Sequence, residues 1–229
     1  MEKRNLFVSG KAVVAAVCGA FTAAFGWLGW LVLAVLAALV LANFYTTAYF
    51  KLEGVDALLA AIEKALGPIP LIAEDLGVQT DEVRELLSAS GFPGMRVLIF
   101  GFTPDYDNEH LPHNYLPNSI VYTSTHDSQT VCEQIMDICS EPEKQFAYRY
   151  LRTSHAEAMG WSAIKCVWAS SANIAMTTLQ DLLSLGADSR MNTPATIGGK
   201  NWRWRVRAEA LNPTVSSMLG EITKTYMRG

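Results

Sequence analysis

Two patterns of apolar and polar positions divide the chain. From Ala12 to Phe50, 39 consecutive residues carry neither a charge nor a histidine. A bilayer core of about 30 Å takes about 20 apolar residues as one helix, so this run has the length of two tightly joined spans. Gly26 and Gly29 alternate with Trp27 and Trp30 near its middle, and Trp favours the membrane–water interface. Lys3, Arg4 and Lys11 precede the run and Lys51 follows it. A helical hairpin with both ends in the cytoplasm satisfies the positive-inside rule. The run is too long for a signal peptide, whose apolar stretch is about 7–15 residues. It also lacks the polar stripe of a helix pair packed in a water-soluble core. Residues 1–51 are therefore expected to form a membrane-inserted hairpin, with residues 52–229 a separate domain.

Beyond Lys51 the pattern changes to short apolar runs separated by turn residues. Val55, Leu58, Leu59, Ile62 and Leu66 fall at helical spacing and Gly67 follows, which predicts an amphipathic helix over Leu52–Leu66. Ile69 to Ala73 is a first strand candidate, ending in Glu74 and Asp75. Thr80, with Asp81 and Glu82, starts a helix running to Ser90. Strand candidates follow at Met95–Phe100, Ser119–Thr123 and Ile174–Leu179, with a helical region over 128–172 between the last two. Leu211-Asn212-Pro213 opens a final helix, with Asn as N-cap and Pro in the first turn. Its expected buried face is Val215, Met218, Leu219 and Ile222. Strand, polar terminus and helix in repetition predict parallel α/β units. Glu74, Asp127 and Gln180-Asp181 follow successive strands, and in a (β/α) barrel such positions share one rim.

Composition narrows the function less than the pattern does. A net charge of −4 and a pI near 5.6 give no footprint for nucleic acid. Cys18, Cys132, Cys139 and Cys166 form no CxxC pair and no zinc spacing, and are read as reduced, buried or half-buried thiols. His110 and His113 stand in an HxxH spacing but are read as parts of an ordered loop rather than as metal ligands. No cofactor is implied. Trp202 and Trp204, two residues apart, are read as packing into the core from an extended segment, with sugar stacking as the alternative.

Specific blocks carry a family resemblance. PLIAEDLGV (70–78), FPGMRVLIFGF (92–102), LPHNY (111–115), VYTSTHDSQT (121–130) and LQDLLSLGADSRMNTPATIGGKNWRWR (179–205) resemble the 4-alpha-glucanotransferases, or amylomaltases, in order and in kind. The likeness covers most of residues 52–210. It implies a retaining transglycosylase on a (β/α)8 barrel acting on α-1,4-glucans or maltooligosaccharides, in a family that is itself cytoplasmic. Retaining chemistry uses two carboxyl groups, an acid/base and a nucleophile. By this match Glu74 is the general acid/base, and Asp127 is the further acid that binds sugar hydroxyls and stabilises the oxocarbenium-like transition state. His126 is implied to touch the same sugar, with Arg190 and Asn192 near the donor site. Residues 5–42 resemble the opening of small phage-type holins, an apolar helix, FGWLGW and a second apolar helix, although NFYTTAY stands where an acidic-aromatic turn is usual.

The resemblance is incomplete. The family's nucleophile is an aspartate on the strand before AEDLG, and this sequence has no aspartate before Asp56. Residues 52–229 are too few for a complete barrel of about 250 residues and match its last four βα units. Ser124 and Ser128 replace residues usual in the THD loop, Ala195 stands where a glycine is common after RMNTP, and Ile99 where a polar residue is common. The sequence thus predicts a glucanotransferase fragment or fusion, inactive alone for want of the nucleophile. The alternatives are a holin-like membrane protein carrying a glucanotransferase remnant, and a non-catalytic glucan-binding membrane protein. The expected partners are a glucan, the membrane through residues 12–50, and further copies of the chain through open sheet edges. The expected location is the membrane, with the C-terminal part in the cytoplasm.

Overall fold

The computed structural model describes residues 52–68, 70–77 and 79–228. The hairpin expected over residues 1–51, and Cys18 within it, lie outside these. Among the described residues no helix is long and apolar enough to cross a membrane. The described residues divide between two units, with the boundary after Pro68.

In the first unit, helix α1 (Leu52–Leu66) spans the predicted residues. Gly67 closes it by donating its N–H to the Glu63 carbonyl at 2.8 Å.

The second unit is built on three parallel strands in the order β1 (Gly94–Val97), β2 (Ser119–Tyr122), β3 (Ile174–Met176). Gly94 stands opposite Ser119, Ile120 opposite Ile174, and Tyr122 between Val97 and Met176. The first strand candidate is reduced to one parallel bridge, Ala73 to Gly94. Its run is cut short because Asp75 turns inward. The buried Asp75 carboxylate accepts from the Met95 N–H at 2.6 Å and from Arg96 at 2.7 Å. Position 94 must be glycine for this, since a Cβ there would meet Asp75 Oδ2 at 2.7 Å. The sheet is therefore an arc of three strands and a bridging residue, where the sequence predicts four strands.

Local chemistry explains the other boundaries. Helix α2 (Asp81–Ser90) begins where Thr80 Oγ1 accepts from the Val83 N–H at 3.4 Å. The helical region expected over 128–172 consists of several short elements. A short α3 (Val131–Glu133) runs into a π-helical turn (Gln134–Ile138). A Ser140/Glu143 capping box with Pro142 then starts α4 (Glu141–Leu151). Helix α5 (Ala156–Trp168) buries Met159, Gly160, Ala163, Ile164 and Val167 at helical spacing. These meet Val97, Val121, Val131 and Ile135 in one apolar cluster. The fourth strand candidate stops at Met176, because Thr178 Oγ1 accepts from the Asp181 N–H and begins α6 (Leu179–Leu182). Gln180 and Asp181 are consequently buried in a helix, not displayed on a rim. In α7 (Pro213–Thr225) Asn212 caps as predicted, accepting from Val215 at 3.2 Å. Only Ile222 of its expected apolar face is fully buried; Val215 and Leu219 are partly so and Met218 is exposed.

Candidate active site

The loop after β2 carries the clearest chemical group. Its floor is Asp181, 1% exposed. One carboxylate oxygen accepts from Thr123 Oγ1 at 2.6 Å and from Ser124 Oγ; the other accepts from the Val131 N–H at 2.8 Å. The same acid thus ties the end of β2 to the start of α3. Burial pushes its pKa up, while these three donors and Thr178 oppose that shift. Ser128 Oγ closes the loop by accepting from the Thr125 N–H at 2.9 Å. The two serines that depart from the usual family pattern are therefore both built into the loop.

On this floor His126 and Asp127 are raised toward solvent, with side chains 60% and 50% exposed. The Asn192 side-chain amide donates to Asp127 Oδ1 at 2.7 Å, and the Asn192 N–H donates to the His126 carbonyl at 3.0 Å. His126 Nε2 lies 3.3 Å from the same Oδ1. Arg190 is spent on protein: Nε donates to the Asn192 carbonyl at 2.8 Å and Nη2 to the Asp127 carbonyl at 3.1 Å. Its Nη1 stands 3.7 Å from Glu133 Oε1. Glu133 is buried and its Oε2 has no partner among the described residues. Four of the five predicted residues, His126, Asp127, Arg190 and Asn192, thus form one hydrogen-bonded group. A small cleft of about 80 Å³ beside this group is lined by His126, Arg190, Met191, Ser124 and Thr178.

Glu74, the fifth, is exposed one residue past the bridge at Ala73. Alternation along the extended segment turns it to the side opposite the buried Asp75. No described contact joins it to the Asp127 group. Arg96 holds its segment, reaching Asp75 at 2.7 Å and Glu109 at 3.1 Å.

Trp202 lies over His126, with ring centroids 5.4 Å apart and planes tilted by 37°. It is 55% exposed, and Trp204 is only partly buried, so neither is the core residue that the two-residue spacing suggests. His110 and His113 do not converge. His110 Nδ1 accepts from the Val97 N–H at 3.1 Å, and His113 sits between Tyr150 Oη at 2.9 Å and the Tyr106 carbonyl at 3.0 Å. Among the described residues no group of His, Cys, Asp and Glu could hold a metal ion.

Sequence reasoning put Asp181 on the rim rather than beneath the loop, and it missed Glu133. The Thr178-x-x-Asp181 spacing, a helix-start pattern, was the available signal for the first. A buried glutamate leaves no such mark.

Residues 44–211 match the sequence profile of the family described as 4-alpha-glucanotransferase, glycoside hydrolase 77. The chain belongs to this family. Its match begins inside the uncharged stretch, seven residues before the break at Lys51. The chain is 38% identical over 167 residues to the 4-alpha-glucanotransferase of Clostridium butyricum, covering 73% of this chain and 34% of that one. It is 46% identical over 146 residues to the chloroplastic 4-alpha-glucanotransferase of Arabidopsis thaliana, covering 64% and 25%. Among solved structures, the amylomaltase from Streptococcus agalactiae in complex with acarbose superposes with a TM-score of 0.70 at 38% identity, covering 75% of this chain and 34% of that one. The chain thus spans about one third of the length of the curated relatives it matches, and its parallel α/β arc is amylomaltase-like.

Proposed function

We propose that residues 69–211 carry part of the active site of a retaining 4-alpha-glucanotransferase, acting on α-1,4-glucans. The observation that carries this reading is the Asp127 carboxylate, held at 2.7 Å by Asn192 yet half-open to solvent. One of its oxygens remains available for sugar hydroxyls and for the positive charge that develops at the anomeric carbon. His126 beside it is the second sugar contact. Arg190 and Asn192 fix the direction of Asp127 and bind the donor sugar through that placement. Glu74 is the acid/base: it protonates the departing glycosidic oxygen, and its carboxylate then takes the proton of the acceptor hydroxyl. A retaining reaction also needs a nucleophilic carboxylate on the opposite face of the anomeric carbon, and the sequence has no aspartate before Asp56. The chain alone is therefore a glucan-binding half-site with no appreciable turnover.

Two measurements test this. Isothermal titration with maltoheptaose should show binding that Asp127→Ala weakens by about tenfold or more. Incubation with maltotriose should release no glucose and form no longer maltodextrins. Absence of binding sinks the half-site reading. Robust transfer abolished by Glu74→Gln sinks the inactivity, because another carboxylate would then serve as nucleophile.

A second proposal rests on the sequence of residues 12–50. This uncharged run inserts in the membrane as a hairpin, placing the glucan-binding part on the cytoplasmic side. Recovery of the full chain in the carbonate-washed supernatant would reject it.

A further inference from the structure

Trp202 is held in an unusual way for a residue that buries so little. Its φ is +60°, a left-handed conformation that a bulky side chain adopts only under constraint. The constraint is visible. The Trp202 N–H donates to the Met191 carbonyl at 2.7 Å. Asn201 next to it fastens the loop, accepting from the Thr193 N–H at 3.1 Å and donating to Thr196 Oγ1 at 2.8 Å. Ala195, Gly198 and Gly199 also take positive φ within the same ten residues. An indole buried in the core would repay that strain through packing. This one is 55% exposed, and its described ring partner is His126. Strained backbone that the fold maintains without burial is characteristic of binding sites.

The face turned from His126 is a rigid apolar plate. It is linked through His126 Nε2 to Asp127 Oδ1 at 3.3 Å. We propose that Trp202 forms a sugar-binding subsite, stacking the apolar C–H face of a glucose unit next to the unit that Asp127 holds. The inference rests on the glucan-binding reading above and adds a subsite to it. Aromatic plates bind flat apolar faces at low entropic cost, and the neighbouring imidazole and carboxylate receive hydroxyl groups at the ring's edge. A ligand long enough to occupy both positions gains from the plate. A shorter one, held at Asp127 alone, does not.

The test uses the full chain with maltotriose and maltoheptaose in isothermal titration. Trp202→Ala should weaken maltoheptaose binding by about tenfold and maltotriose binding much less, with Trp202→Phe within about threefold of the unaltered chain. Protection supplies a readout that needs no variant. Bound maltoheptaose should slow N-bromosuccinimide oxidation of Trp202, read by peptide mass spectrometry, and leave the partly buried Trp161 and Trp204 unaffected. Unaltered maltoheptaose affinity in Trp202→Ala, or no protection of Trp202 while Asp127-dependent binding persists, overturns the subsite and leaves the half-site standing. Loss of all binding in the unaltered chain overturns both.

Discussion

Asn192 reaches across 65 residues of sequence to place its side-chain amide 2.7 Å from Asp127 Oδ1. The bond joins the loop after β2 to the loop after α6, and it fixes one carboxylate oxygen while the other stays free. Asn192→Ala should leave stability nearly unchanged, within about 1 kcal/mol, because the pair is exposed and screened. It should weaken maltoheptaose binding about three- to tenfold by freeing Asp127 to rotate. Thermal denaturation and titration on the same preparation check both halves.

Asp181 should behave in the opposite way. Asp181→Ala leaves the Val131 N–H and two hydroxyls beneath the loop without their acceptor, and should cost about 3–5 kcal/mol. Asp181→Asn keeps an acceptor for Val131 and gives Thr123 and Ser124 a donor to bond, so about half that loss is expected. Urea denaturation of the three proteins would measure the order, and equal losses would show that the hydrogen bonds are not what matters.

The pH response should centre on His110. Its Nδ1 accepts from the Val97 N–H, and burial is the first cause of a lowered pKa. The folded chain then binds fewer protons than the unfolded one below about 6.5, the ordinary histidine value. Stability present above that value should be lost as the pH falls from there toward the lower folded pKa. His110→Asn, whose carbonyl can accept the same bond, should flatten this part of the stability–pH curve.

Thiol chemistry gives another check. Burial pushes Cys132 and Cys166 up to about 11 and raises Cys139 as well. All three should react slowly with Ellman's reagent at pH 8 in the native chain and rapidly in guanidinium. Peptide mapping resolves each site. Fast native labelling of Cys132 would contradict its 6% exposure.

Among the described residues β3 has no strand beyond it, and Ile174 and Met176 are nearly half exposed. An open edge with apolar side chains pairs readily with another chain. Association should fall when both residues are replaced by lysine, as sedimentation velocity would show.

Much of this arrangement was legible in the residues. The candidates Met95–Phe100, Ser119–Thr123 and Ile174–Leu179 each hold a strand, although the first gives way at Leu98 to a 3-10 turn and the third ends at Met176. Thr80 and Asn212 announced their helices through their own side chains. The THD and RMN blocks named four residues that the fold then assembled. What could not be read came from distant partners. Ala73 lost its strand because Asp75, two residues on, is drawn to Met95 and Arg96. Asp181 seemed a rim acid because its position after a strand is visible in sequence, whereas the Thr178 cap that turns it inward competes at short range. Trp202 alternates with Trp204 as core residues do, and only the loop's left-handed turns lift it out. The region 128–172 is helical as its pattern indicates, and the Ser140/Glu143 box that divides it is a local hydrogen-bond signal that apolar periodicity does not register.

Gly160 on α5 faces α6 so closely that a Cβ would fall upon the carbonyl oxygen of Asp181 and within 2.8 Å of Ser184 Oγ. The same Asp181 supports the loop that presents His126 and Asp127. A methyl group at position 160 would move that support, so on the glucan-binding proposal the harm would be recorded as weakened maltoheptaose binding, at a residue that is not itself one of the proposed sugar contacts. Natural variation should be as restricted at this position as at the acids proposed to act on the glucan. A hydrogen atom in the packing would then carry the mark of a functional residue.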